Sequence, residues 1–392
     1  MAASISIPRS TAVQQARERA QTIPWYLWAS TLAVTSSMIG VQWDISWHRS
    51  IGRDSFWTPA HIAIQLCGVI AGITCGYLIL KTTFTNSALR AASVNVLGFR
   101  APLGAFIAAW GGFTMITSAP FDDWWHSAYG LDVKILSPPH VVLAIGVMAV
   151  EIGTLVLIAA QMNRAADSLR RRLTMLFLYV AAIVLVGRLV LVLEFSTRIF
   201  QHSGIFYRVV CLSVPIVLAA AWRATRLRWA TTVVCAFYSA IMLAQLWILP
   251  LFPAQPKLGP VYHEVTQFIP LGFPFLLIVP AIVLDSLWKK AADWNKWLLA
   301  VVSGVLFLAV FAAVQWPFAD FLQSPAARNA FFGSHYLDYY QGPQTFSARY
   351  LFLPVEKTAA RFWGEIGLAA ICSIATMRIG FAAGDWLKRV RR

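Results

Sequence analysis

Apolar runs long enough to cross a bilayer recur along the whole chain, with polar connections between them. They predict ten helices, at about 25–46, 57–80, 101–121, 138–161, 173–195, 206–222, 229–250, 266–288, 297–317 and 360–382. Helices follow rather than strands, because each segment in a hydrocarbon core must satisfy its own backbone and no alternating pattern of barrel-strand length repeats. The predicted fold is therefore all-α, a polytopic bundle in a membrane. It divides into an N-terminal tail over 1–24, two helical hairpins over 25–161, and a C-terminal region over 162–392 with about six spans. The connection over 318–359 has no apolar period but carries Phe331, Phe332, Tyr336, Tyr339 and Tyr340. That places it at the membrane interface as a belt or cap, with a binding loop as the lesser reading.

Composition agrees: 58% of the 392 residues are hydrophobic and only 12% charged, against about 25% charged in an average soluble domain. The formal charge of +15 invites a nucleic-acid partner, but its distribution excludes one. Basic residues cluster at Arg164 with Arg170–Arg172, at Arg223, Arg226 and Arg228, at Lys289, Lys290 and Lys296, and at Lys388–Arg392. These are alternate connections, the positive-inside signature. Both termini are thus expected in the cytoplasm of an inner-membrane protein. All seven histidines then fall at or near the opposite, extracytoplasmic end. The polar stretch Met1–Thr22 lacks the apolar core of a cleavable signal peptide. Five cysteines lie inside apolar runs without CxxC spacing, so neither disulfides nor thiolate metal sites are expected.

Two connections carry the same pattern. One reads Trp43-Asp44-Ile45-Ser46-Trp47-His48, then Gly52-Arg53-Asp54, then Thr58-Pro59-Ala60-His61. The other reads Phe121-Asp122-Asp123-Trp124-Trp125-His126, then Gly130-Leu131-Asp132, then Ser137-Pro138-Pro139-His140. Both hairpins run outward and then inward, so they form a parallel repeat. The spacings are Asp-x3-His-x12-His and Asp-x3-His-x13-His. Asp44 with His48, and Asp122 with His126, are four apart and share a helical face. The Thr-Pro and Ser-Pro pairs read as an N-cap followed by proline at the first helical position, which sets His61 and His140 on the first turn of each returning helix.

Two imidazoles and one carboxylate suit a metal with open coordination positions; copper, zinc and iron all accept such ligands. Asp54, Asp132 and Asp123 are auxiliary candidates. Asp54 and Asp132 stand open between orienting an imidazole and simply turning the chain. Ionisable residues at membrane depth mark function or inter-helix pairing, which brings in Glu151, Arg188, Glu194 and Glu365, with Glu194 foremost. His202, His263 and His335 read as interfacial side chains first and as further ligands second.

At these residues the sequence resembles the C subunit of the copper membrane monooxygenases, the particulate methane and ammonia monooxygenases. The resemblance runs through Trp47-His48, Arg53-Asp54 and Phe56-Trp57-Thr58-Pro59-Ala60-His61, then Phe121-Asp122-Asp123-Trp124, His126 and Pro138-Pro139-His140. It implies one copper site at Asp44, His48 and His61 and a neighbouring one at Asp122, His126 and His140, in a region proposed for O₂ activation and hydroxylation of a small apolar substrate. It also implies an electron donor and other monooxygenase-type subunits as partners beside the lipid bilayer. Asp122 stands where the family has Asn, which adds a negative charge to the second site. The resemblance covers only about residues 40–145, the family's C subunit is much shorter, and no cupredoxin-like domain is present. The rival reading is a non-enzymatic copper-handling protein for transport, sensing or delivery. Transport predicts methionine or cysteine ladders, and the eight methionines form none.

Overall fold

The computed structural model describes residues 22–52, 55, 57–85, 88–129 and 137–392. Asp54, Asp132 and the side chain of His126 lie outside the described residues.

Every predicted apolar run contributes a helix. In chain order these are α1 Trp25–Ser50, α2 Pro59–Phe84, α3 Leu103–Tyr129, α4 Pro138–Met162, α5 Asp167–Val190, α6 Gly204–Thr225, α7 Ala230–Ile248, α8 Ile278–Lys290, α9 Lys296–Gln323 and α10 Ala359–Leu387. Among the described residues eight are long and apolar enough to cross a bilayer: α2 to α7, α9 and α10. The chain is accordingly a multi-pass membrane protein. Helix α1 has 26 residues but is too polar to join the eight, and α8 has only 13. One departure from the all-helical expectation is a small antiparallel hairpin between α2 and α3. Its strands are β1 Val94–Val96 and β2 Phe99–Ala101, turned by Leu97 and Gly98, both at positive φ.

A further difference concerns the run expected as one helix over 266–288. Residues 266–276 form no helix, and the helix begins only at Ile278. Pro270, Gly272 and Pro274 interrupt the segment, since proline lacks a donor and disfavours helix in the residue before it. Unpaired backbone in an apolar bundle is costly, and neighbouring helices supply partners. Gln245 on α7 accepts from Leu271 N at 3.1 Å and donates to Leu271 O at 3.3 Å. Tyr238 Oη accepts from Phe275 N, and Gln315 Oε1 on α9 accepts from Leu276 N.

The two helices of each Asp/His hairpin pack closely, α1 on α2 and α3 on α4, and α2 packs on α3. A Cβ on Gly111 of α3 would lie 2.7 Å from Gly146 O on α4, so the small residues set how near these backbones come. In α6, Pro215 frees the carbonyl of Cys211, and Thr376 Oγ1 on α10 donates to it at 2.9 Å. One continuous apolar core joins the hairpins to the C-terminal helices. The basic connections gather at one end. There Asn163 Nδ2 donates to the carbonyls of Leu387 and Val390, and Asp385 sits between Lys296 and Arg223.

Candidate metal centre

At the other end α1 carries Asp44 and His48 on one face near its C-terminus. The helix stops where Gly52 takes a left-handed φ of 81° and donates to Trp47 O. Gly52 is required twice over, because a Cβ there would sit 1.9 Å from the Tyr339 hydroxyl. Helix α2 starts as its sequence predicts. Thr58 is the N-cap, its hydroxyl accepts from His61 N at 3.4 Å, and Pro59 holds the first helical position. His61 therefore projects from the first turn back towards α1. Ser137 and Pro138 open α4 in the same way and present His140, although the Ser137 hydroxyl makes no capping bond.

Asp44 Oδ1 stands 3.2 Å from His61 Nε2 and 3.8 Å from His48 Nε2. In the second hairpin Asp122 Oδ1 stands 3.5 Å from His140 Nε2. Donor atoms held about 2.1 Å from one tetrahedral metal lie about 3.4 Å apart, so these spacings match edges of a coordination shell. Asp44 Oδ1 is buried and makes no hydrogen bond, so the two imidazoles are the groups that face its charge. As they stand, no three His, Cys, Asp or Glu side chains among the described residues form a complete metal-holding group. Asp44, His48 and His61 offer donor types that copper, zinc and iron accept, with Asp44 Oδ1 nearer to His61 than to His48.

Asp44, His48, His61, Asp122 and His140 line one cavity of about 560 Å³. Glu194, in the short helical turn after α5, is exposed and lines it too, as does Glu151 on α4. Asp123 faces outward and takes no part. Arg188 does not reach Glu194; it donates to Ser213 O and Leu212 O. Glu365 pairs with Arg208. None of the three further histidines lines the cavity. His202 is stacked between Trp316 and Phe352, and His335 rests on Tyr336. No protein family, curated protein or solved structure matches this chain.

Sequence reasoning missed what closes the cavity. The segment after α9 folds across it, bringing Phe332, Ser334, Asp338 and Tyr340 to the lining. Arg49, next to His48, forms an ion pair with Asp338 and donates to Pro270 O. Arg198 donates to Ser334 O and Ser347 O and lies over the Tyr350 ring. Ser50 Oγ accepts from Ile269 N at 2.7 Å, and Ser46 Oγ donates to Ile269 O at the same distance. The available signal was Arg49 itself, a cation at a helix end beside a candidate ligand.

Proposed function

We propose that this chain is a copper-binding membrane protein whose Asp44, His48 and His61 hold one metal ion. Asp122 and His140, with His126 by its place in the repeat, hold another. The observation that carries the reading is the buried, unbonded Asp44 Oδ1 facing two imidazoles in a cavity, repeated in outline by Asp122 and His140. The duplication belongs to a parallel repeat of two hairpins, with α1 and α8 completing a ten-helix membrane bundle. Basic connections at the far end favour an inner-membrane protein with cytoplasmic termini and ligands on the extracytoplasmic side.

The reaction class this arrangement supports best is O₂-dependent hydroxylation of an apolar substrate. Bound copper would supply the one-electron and O₂ chemistry. The chain's own residues do the rest. The two helical hairpins orient the imidazoles, and the segments anchored by Arg49, Arg198 and Ser50 limit access of water. The apolar walls hold a substrate beside the ligands. Apolar walls favour a reaction chamber over a carrier, whose path needs polar relays along its length.

Metal analysis of the full chain in lipid nanodiscs tests this, comparing wild type with His48→Ala, His126→Ala and the double substitution. Copper in wild type, partial loss in each single variant and near-complete loss in the double are expected. Copper content unchanged by the double substitution would overturn the reading. Uptake of O₂ by the reduced, copper-loaded protein with a hydrocarbon then separates enzyme from carrier.

A further inference from the structure

Arg378 sits inside the membrane-spanning helix α10, and no acid or hydrogen-bond acceptor among the described residues meets its guanidinium. Its Nε is buried and unbonded. An arginine keeps its charge at any physiological pH, and a charge in a spanning segment is costly without a partner. The face of the Trp297 ring, 5.1 Å from the guanidinium carbon, offsets only part of that cost. Trp297 is in the first turn of α9 and 61% exposed, so the Arg378 side chain ends at the basic end of the bundle, on its outer surface.

More positive charge gathers beside it. Lys296, the residue before Trp297, pairs with Asp385 at 2.8 Å, and Arg223 stands 3.6 Å from the same carboxylate. Lys388, just past the end of α10, is held below the ordinary lysine range by burial first. The charge of Arg226 lowers it next, Asp385 opposes, and Arg223 and Lys296 add to the depression. Four cations thus crowd around Asp385, and Arg378 has none of it. Deeper along the two helices the surface turns apolar. Val301 and Val305 follow Trp297 at intervals of four on α9, Ile371 and Ala375 share the Arg378 face of α10, and all four are exposed.

We infer that this edge of α9 and α10 binds an anionic phospholipid, its phosphate held by Arg378 and Lys296 and its acyl chains lying along Val301, Val305 and Ile371. The guanidinium fork matches phosphate oxygens, and basic surfaces where spanning helices meet the interface are where such headgroups bind. A soluble phosphate would satisfy the charges but leave the apolar strip uncovered, which selects the lipid. The site lies at the opposite end from the Asp/His sets and does not depend on the metal.

Native mass spectrometry tests this on the full chain released from nanodiscs of equal dioleoyl phosphatidylglycerol and dioleoyl phosphatidylcholine. Wild type is expected to retain a near-stoichiometric excess of phosphatidylglycerol. Arg378→Gln should lower that excess several-fold, whereas Arg171→Gln, which removes an exposed charge on α5 at the same end, should leave it unchanged. Trp297→Ala, at an exposed position, takes the place of Arg378→Gln if that variant fails to enter the membrane, and should lower the excess in the same direction. Millimolar glycerol 3-phosphate, the headgroup without chains, should not displace the lipid. Equal retention of the two lipids by wild type overturns the inference, as does an equal loss in Arg378→Gln and Arg171→Gln. Displacement by glycerol 3-phosphate overturns it too, and assigns the cations to a soluble phosphate.

Discussion

Asp44 and His61 meet across the α1–α2 hairpin, with Oδ1 and Nε2 3.2 Å apart and no hydrogen bond made by that oxygen. The carboxylate comes from the end of one helix and the imidazole from the first turn of the next. A substitution at either residue therefore acts on the site without disturbing the packing of the helices below it.

Asp44→Asn keeps the shape of the side chain and removes its charge. Copper affinity, measured by competition with a calibrated chelator, should fall at least about tenfold, ~1.4 kcal/mol. Chelation should lower the thermal midpoint of wild type more than that of the variant, because a ligand bound only to the folded state stabilises it. Equal shifts would remove Asp44 from the ligand set.

The two N-caps make unequal predictions. Thr58 accepts from His61 N, whereas the Ser137 hydroxyl makes no such bond. Thr58→Ala should cost about 1 kcal/mol and loosen His61, weakening copper binding several-fold. Ser137→Ala should change both quantities much less. Thermal unfolding and chelator competition on the two variants side by side check this.

The Arg49–Asp338 pair fixes the segment after α9 to the end of α1. Breaking it from either side leaves an unpaired charge, which is worse than removing both. Arg49→Met and Asp338→Asn should each speed proteolysis within 324–358 several-fold, with the double substitution closer to wild type than either. Additive acceleration would show that the two residues act separately.

Gly52→Ala should destabilise the same junction. Its left-handed φ costs an L residue about 1–2 kcal/mol, and a Cβ would meet the Tyr339 hydroxyl. Tyr339→Phe should not rescue it, since the ring carbon Cζ would still be 2.7 Å away. Full recovery in the double variant would show that the hydroxyl alone makes the glycine necessary.

Much of this was legible in the sequence because each signal is local. Apolar length placed every helix, and Thr58-Pro59 and Ser137-Pro138 announced the turns that present His61 and His140. Spacing by four put Asp44 and His48 on one face. What was not legible depends on distant partners. Pro270, Gly272 and Pro274 break the run over 266–288, which hydropathy alone reads as one helix. Only the structure shows Gln245, Tyr238 and Gln315 supplying the missing backbone bonds. The connection over 318–359 read as an interfacial belt, yet its Asp338 is held by Arg49, 289 residues away. Glu194 and Arg188 share a stretch of chain, yet Glu194 lines the cavity while Arg188 donates to Ser213 O and Leu212 O.

The non-helical stretch 270–276 is at once a wall of the chamber and the segment that α7 and α9 grip through their amide and hydroxyl side chains. The division of labour follows from that. The first four helices carry the Asp/His pairs, and segments from the six behind them complete the cavity lining. A fragment ending at Met162 would keep Asp44, His61, Asp122 and His140 but lose the wall that Arg49 and Ser50 anchor.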